Sequence, residues 1–373
     1  MREPATAMEA WVRHLYVHIP FCHRICPYCS FYKHEPGSTD TAAFLKAISR
    51  ELEAALNEWP GRIRPETIYF GGGTPTLLST AHLERWLPEF RSAMDMSGLR
   101  EWTVEVNPRT INPRKAEVLL ENGVTRASLG VQAWDPPTLS VLGRDHSPAE
   151  AEEAFQVLRR AGFPVVNIDL MFSVPGQSLE TWRETLRRTI DLGPDHVSAY
   201  NLTYEEDTEF FRKLTSGEYH RDENADGDCF SLAMTMLGDA GFAHYEISNY
   251  SRPGFESLHN QSYWAGADYL GLGPSAVSTI DRTRWKNAGN TTLYILDPLT
   301  GRETEHLTRE QWACERIALE LRTHRGVSLS YLPWPERLPD LTAAGLAEVT
   351  GDRLRLTEKG RGLADTIAGH LWA

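Results

Sequence analysis

The stretch that decides the fold is Leu15-Tyr-Val-His-Ile-Pro-Phe-Cys22-His-Arg-Ile-Cys26-Pro-Tyr-Cys29. It opens as a β-rich run, Leu15–Ile19, and closes on three thiols spaced Cys22-x3-Cys26-x2-Cys29. Three soft sulfur donors on one short loop suit iron–sulfur ligation. A tetrahedral zinc site wants a fourth ligand, and no second paired group stands nearby, although His18, His23 and His34 are close in sequence. On a four-iron cluster, three thiolates leave one iron open to another ligand. The chain has five cysteines, an odd number, and the three clustered ones do not form a disulfide framework. Such a cluster in a reducing compartment points to metal or redox chemistry. Cys229 and Cys314 fall in helix-like apolar surroundings and are expected in the core.

Working outward, Leu15–Ile19 is the first of six short β-rich runs. The others are Thr67–Phe70, Trp102–Val106, Ala127–Val131, Val165–Met171 and His196–Leu202. Helical patterns separate them. Phe44, Leu45, Ile48, Leu52, Ala55 and Leu56 recur at helical spacing, and Ser178 can cap a helix carrying Leu179, Trp182, Leu186 and Ile190. Six strand–helix units predict an α/β fold with parallel strands. They are too few for eightfold closure, so a partial (β/α)6 TIM-like barrel is expected over residues 1–240. Two further strands, Phe242–Ile247 and Tyr269–Leu272, flank an irregular aromatic loop in an extension over 241–297. A helix near Glu310–Arg322, a Pro-rich Leu332–Pro339 segment, a short helix, a hairpin turning at Gly351-Asp352 and a last helix opened by Thr357 follow. That order predicts a small C-terminal winged-helix-like module over 298–373. Thr308–Ala373 carries nine Lys+Arg and nine Asp+Glu, without a basic stripe, so the module is expected to pack or meet a partner rather than bind DNA.

The 373 residues include 38 Lys+Arg and 51 Asp+Glu, a net charge of −13. Such a surface argues against general affinity for nucleic acid or anionic lipid. No stretch approaches the ~20 apolar residues of a membrane span, and Met1–Trp11 lacks the apolar centre of a secretory signal. A soluble, cytoplasmic protein is expected; its oligomeric state is not legible.

Placed on the six strands, the unusual residues gather at one end. The cysteines follow strand one and Gly71-Gly-Gly-Thr-Pro75 follows strand two. Glu105, with Asn107-Pro108, closes strand three; Gln132 closes strand four; Asp169 lies late in strand five; Tyr200, Asn201 and Thr203 lie at or past the end of strand six. The C-terminal ends of parallel strands are where α/β barrels build their active sites. The glycine turn lacks Gly-Lys-Ser/Thr and is not a P-loop.

Tyr16-Val-His-Ile-Pro-Phe-Cys-His-Arg-Ile-Cys-Pro-Tyr-Cys29 resembles the radical S-adenosylmethionine (SAM) superfamily, in particular the branch of oxygen-independent coproporphyrinogen III dehydrogenase, the HemN-like family. The resemblance extends through GGGTPT at Gly71–Thr76, Glu105-Val-Asn-Pro108, Ser128-Leu-Gly-Val-Gln132 and Asn167-Ile-Asp-Leu170. It implies a 4Fe–4S cluster on Cys22, Cys26 and Cys29, with the amino and carboxylate groups of SAM on the open iron. It further implies that Tyr16 contacts SAM, and that Gly72, Gly73 and Thr74 let backbone approach the methionine amino group, since glycine has no Cβ to block it. Glu105 would pair with a cationic or hydroxyl part of SAM, and Gln132, Arg144 and Asp169 would line its carboxylate and ribose.

A second signature is His259-Asn-Gln-Ser-Tyr-Trp264. Read from composition, it is a surface loop with a satisfied histidine, though an imidazole beside two large aromatics can ligate haem iron and flank a macrocycle. HNxxYW resembles the motif of HemW-type haem chaperones, which implies haem at His259, Tyr263 and Trp264. It also implies transfer to acceptor proteins, membrane-associated ones among them, and an electron donor for the cluster. Two departures separate the chain from the decarboxylating enzyme: Phe31 stands where that enzyme has a fourth cysteine, and only 21 residues precede Cys22. Gly271-Leu-Gly-Pro-Ser-Ala276 has Pro-Ser where Gly-Ala is expected. No Cys-x-x-Cys-His suggests a thioether-linked haem. The leading expectation is a haem chaperone. The rivals are a radical SAM methyltransferase or other tetrapyrrole-modifying enzyme, in which SAM cleavage initiates hydrogen abstraction, and a structural cluster protein with a vestigial SAM site.

Overall fold

The computed structural model describes residues 11–372; positions 1–10, on which most of the signal-sequence reading rests, lie outside them. Strand β1 (Val12–Ile19) leads to α1 (Thr41–Glu58), whose start is set by Asp40 accepting from the Ala43 amide. Phe44, Leu45, Ile48 and Leu52 are buried on its inner face, as their spacing predicts. Then come β2 (Ile63–Gly72), α2 (Thr80–Ser92), β3 (Glu101–Val106), α3 (Pro113–Glu121) and β4 (Arg126–Gln132). They are followed by α4 (Pro136–Val141), α5 (Pro148–Ala161), β5 (Val165–Phe172), α6 (Leu179–Leu192) and β6 (His196–Asn201). Ser178 caps α6 as expected, accepting from the Thr181 amide. All six expected strands are present.

After β6 the chain forms α7 (Glu209–Thr215), α8 (Glu223–Asp239), β7 (Ala243–Glu246), β8 (Asn249–Ser251), α9 (Leu258–Trp264) and β9 (Tyr269–Leu272). Next are β10 (Val277–Ile280), β11 (Thr283–Lys286), α10 (Thr291–Leu296) and β12 (Glu303–His306). These strands extend the barrel sheet. β9 pairs parallel with β1, giving seven parallel strands in the order β9-β1-β2-β3-β4-β5-β6. Antiparallel β10-β11-β12 and β8-β7 widen the two edges to twelve strands. Because β12 pairs with β11, the sheet continues past 297, the expected boundary of the C-terminal module.

The module comprises α11 (Arg309–Glu320), β13 (Val327–Ser328), α12 (Leu338–Ala343), β14 (Ala347–Thr350), β15 (Arg353–Leu356), α13 (Glu358–Arg361) and α14 (Ala364–Trp372). Its three strands lie in the order β13-β15-β14, and Ile317, Leu321, Val327, Leu354, Ile367 and Leu371 form its own apolar core. Gly351-Asp352 turns the hairpin as predicted, but the single last helix is two, α13 and α14. Cys229 is buried; Cys314 is only half-buried and lies outside the apolar clusters, contrary to expectation.

Strand alternation creates an unusual barrel interior. On β1 the outward set Val12, Leu15, Val17 and Ile19 meets the helices, while His14, Tyr16 and His18 share the opposite face. Their register partners on β2 are Thr67, Tyr69 and Gly71. The bore is therefore lined by hydrogen-bonding groups, while an aromatic layer of Phe70, Trp86, Phe90 and Trp102 packs outside it.

Candidate functional site

The cysteine loop leaves β1 and is tied to the end of β2 by backbone bonds. The Gly73 amide donates to Ile19 O at 2.9 Å, the Thr74 amide to Phe21 O at 2.7 Å. These contacts explain two of the glycines. A Cβ on Gly73 would lie 2.7 Å from Phe21 O, and one on Gly72, at φ +102°, would lie 2.4 Å from the His18 ring. The glycine turn therefore seats the cysteine loop as well as baring backbone.

Cys22, Cys26 and Cys29 are all half-buried. Burial pushes the Cys22 thiol up to about 11; the Thr74 hydroxyl pulls it down, and the neighbouring Cys29 and Cys26 sulfurs push it up again. Burial also raises Cys29, with Lys33 opposing. Thiols that burden one another as thiolates need a positive centre to ionise, and this donor set fits an iron–sulfur cluster. No group of three His, Cys, Asp or Glu side chains among the described residues converges on one metal-ion position. Three thiolates that each take a different iron need proximity without that convergence.

Across the mouth, Glu105 accepts from the Tyr69 hydroxyl at 2.9 Å and from the Gly72 amide at 3.2 Å. Burial foremost, then the Asp169 charge, holds its carboxyl up at about 7 against those two bonds. Asp169 accepts from Ser128 Oγ at 2.9 Å and from Asn167 Nδ2 at 2.7 Å, and burial raises it too. Arg144 donates to Gly130 O at 2.8 Å and points a second nitrogen at Cys26 Sγ, 3.7 Å away. Gln132 ends β4 in the left-handed region, φ +68°, beside a register shift after Gly130. A non-glycine residue held there by its surroundings is common where side chains are aimed into a site. Tyr16 stacks on Tyr69 at 6.2 Å between ring centroids and bonds His18 Nδ1 through its hydroxyl at 2.9 Å.

The eight residues expected around SAM thus gather at the barrel mouth, where two buried polar atoms are left over. Arg144 Nε and Asn201 Oδ1 are buried without a partner among the described residues, a state that costs each about 1–3 kcal/mol until something bonds it. Phe31 is 66% exposed beside the cysteine loop.

The HNxxYW segment departs from expectation. It is the helix α9, not a loop, and His259 is set apart from Tyr263 and Trp264, whose rings meet edge to face at 5.9 Å between centroids. His259 is 9% exposed and faces the bore, where Nδ1 bonds Thr67 Oγ1 at 2.8 Å and the ring packs on Tyr69 at 5.1 Å. Burial drives it down to about 3, so it is a neutral imidazole. Tyr263 is exposed, and Trp264 is half-buried between the Glu246 carboxylate, which it hydrogen-bonds, and the Arg322 guanidinium.

Two buried polar networks lay beyond sequence reasoning. Glu101 at the foot of β3 accepts from Ser257 Oγ and from the Leu258 and His259 amides, so it caps α9, and it also pairs with buried Arg126. A chain of bonds runs down the bore from Asp169 through Asn167 and His196 to the Tyr245 hydroxyl. Alternation within polar-rich strands was the available signal for both.

Residues 16–189 match the family model of the radical SAM superfamily. A protein of Lactococcus lactis named "Heme chaperone HemW" is 32% identical over 94% of this chain and 95% of its own length. Its namesake in Mycobacterium tuberculosis is 36% identical over 95% and 93%. Among solved structures, the Escherichia coli coproporphyrinogen III oxidase HemN, described as a radical SAM enzyme, superposes with a TM-score of 0.83 at 25% identity, covering 97% of this chain and 90% of that one.

Proposed function

The chain belongs to the radical SAM superfamily and, within it, to the HemW family, and from that membership we propose that it is a haem chaperone: it binds haem and passes it to acceptor proteins. The observation that carries this reading is the end-to-end similarity to proteins of that name, C-terminal module included. Cys22, Cys26 and Cys29 would hold a 4Fe–4S cluster; Arg144 and the Thr74 hydroxyl, beside Cys26 and Cys22, would stabilise their thiolates. SAM would lie across Gly72–Thr74 with Glu105, Asp169, Gln132 and Tyr16 around it. Cluster and SAM together supply one-electron chemistry when reduced. The chain's part is to orient SAM and to present to it Glu105, whose carboxyl burial holds up at about 7.

Haem belongs at the HNxxYW helix. Its inner side chain, His259, reaches the SAM site through Tyr69 and Glu105, which joins the two binding regions by three packed side chains. Acceptors, some of them membrane-associated, would dock there, and an electron donor would approach the exposed cluster loop. No helix among the described residues is long and apolar enough to cross a membrane.

The test is an anaerobic haemin titration of the iron–sulfide-reconstituted protein. A saturable, near-stoichiometric Soret shift is expected. Its absence, with coproporphyrinogen or another tetrapyrrole consumed alongside 5′-deoxyadenosine release, would favour the enzymatic reading, which the polar mouth of Glu105, Asp169 and Tyr200 also accommodates.

A further inference from the structure

Past Cys29 the chain turns back through Tyr32, Lys33 and His34, and these three residues close the cysteine loop. The His34 amide donates to Pro20 O at 2.9 Å, and its carbonyl accepts from the Cys22 amide at 3.0 Å. The Tyr32 carbonyl accepts from His18 Nε2 at 2.7 Å, and the Lys33 ammonium donates to Cys29 O. One short segment is thereby tied to both the first and the third cysteine.

The segment is gripped from the extension by Thr291, the first residue of α10. Thr291 is buried, and its hydroxyl oxygen lies 2.8 Å from His34 Nε2 and 3.1 Å from the Tyr32 hydroxyl. Its amide donates to the same Tyr32 oxygen at 2.8 Å. The proton positions follow from the partners. His34 Nδ1 lies 2.8 Å from Glu35 O, and a carbonyl can only accept. In the neutral ring Nδ1 therefore carries the proton, and Nε2 accepts from Thr291 Oγ1. With that proton already given to His34, the Tyr32 hydroxyl donates to Thr291 Oγ1. The helix is itself fixed to the barrel: Tyr294 donates to Glu51 of α1 at 2.5 Å. Glu51, fully buried, also accepts from the Gly273 amide at 2.8 Å and from Asn287 Nδ2 at 2.7 Å.

We propose that Thr291 is a positioning residue for the iron–sulfur cluster: its hydroxyl, through Tyr32 and His34, locks the segment that holds Cys22 and Cys29 in place. The proposal rests on the cluster reading of the three cysteines and deepens it. Groups bonded behind metal ligands fix the ligands' orientation and affect metal retention nearly as much as the ligands do. A hydroxyl is suited to this place because it gives one proton to His34 while taking one from Tyr32, which no apolar side chain of the same shape can do. The extension, 259 residues beyond Tyr32 in the chain, thereby becomes part of the cluster site as well as a widening of the sheet.

The test compares Thr291→Val, which keeps the side chain's shape, with Thr291→Ser, which keeps its hydroxyl, in full-length protein reconstituted anaerobically with iron and sulfide. The readouts are the rate of iron release to a chelator and the electron paramagnetic resonance spectrum of the dithionite-reduced cluster. Thr291→Val should release iron about tenfold faster than wild type and show an altered spectrum. Thr291→Ser should match wild type in both. Tyr294→Phe controls for stability, since it loosens α10 at Glu51 and leaves the Thr291 hydroxyl in place; its release should stay well below that of Thr291→Val. Wild-type release and spectrum in Thr291→Val, whatever its urea midpoint, would overturn the proposal and leave Thr291 a brace of the extension alone. Equally fast release in Thr291→Ser would overturn it too, by assigning the effect to the methyl group. So would equally fast release in Tyr294→Phe, by assigning it to the seating of α10. Failure of wild type to load a cluster would instead sink the cluster reading.

Discussion

The Tyr69 hydroxyl donates to Glu105 Oε1 at 2.9 Å, a bond that holds one carboxylate of the barrel mouth in place while its neighbour Asp169 repels it. Burial foremost, then the Asp169 charge, holds the Glu105 carboxyl up at about 7 against that bond, compared with about 4.3 in an unfolded chain.

The sign of the pH dependence follows. Between those two values the folded state binds the extra proton, so Glu105 lowers stability as pH rises from about 4.3 through 7. At pH 8 the cluster-free Glu105→Gln variant should be more stable than wild type by about 1–3 kcal/mol, the open mouth reducing the full effect. At pH 4 the two should be alike. Urea denaturation at both pH values measures this, and an equal gain at pH 4 would show that the effect is not titration. The same variant should bind SAM more weakly.

Cys22 yields a second expectation. With its thiol held at about 11, few of these groups ionise at pH 8.5 in the cluster-free protein. Alkylation of Cys22 by iodoacetamide, followed by mass spectrometry, should run about tenfold or more slower than in urea-unfolded chain. Thr74→Val, which removes the hydroxyl bond that lowers the thiol, should slow it further. An equal rate in folded and unfolded protein would mean the loop is open to water.

Gly73→Ala separates the glycine turn's two tasks. The new methyl would collide with backbone at Phe21 and Pro20, which cannot move without displacing the cysteine loop. Iron and sulfide content after reconstitution should fall well below wild type, although no ligand is changed. Full cluster content with weakened SAM binding would show that the turn serves SAM alone.

The six strands and the cysteine loop were legible because local pattern determines them: alternating apolar runs, helical spacing, three thiols in eight residues. The seventh parallel strand, β9, was not, since Tyr269–Leu272 pairs with a strand some 250 residues earlier and nothing in either run names its partner. HNxxYW read as a loop for a similar reason. Its helix has no apolar stripe; Ser257 and a carboxylate 157 residues away begin it. Motif reading gathered His259, Tyr263 and Trp264 as one site, whereas helical geometry turns His259 inward and Trp264 outward.

Glu101 carries the last prediction. It is buried, accepts from the Leu258 and His259 amides at 3.0 and 2.9 Å, and pairs with buried Arg126 at 3.1 Å. Removing its charge leaves the Arg126 cation without a counter-ion and weakens the start of α9, at a cost of about 3–5 kcal/mol. Glu101→Gln should lower the unfolding midpoint accordingly. Backbone amide exchange should rise across Leu258–Trp264 before it rises in β1–β6. Cluster loading should be retained, because the cysteine loop sits at the opposite end of the strands, while haemin affinity should drop as Trp264 loses its fixed place. Exchange across α9 that stays as slow as wild type would show that packing of His259 on Tyr69, rather than the Glu101 carboxylate, holds the helix in the barrel.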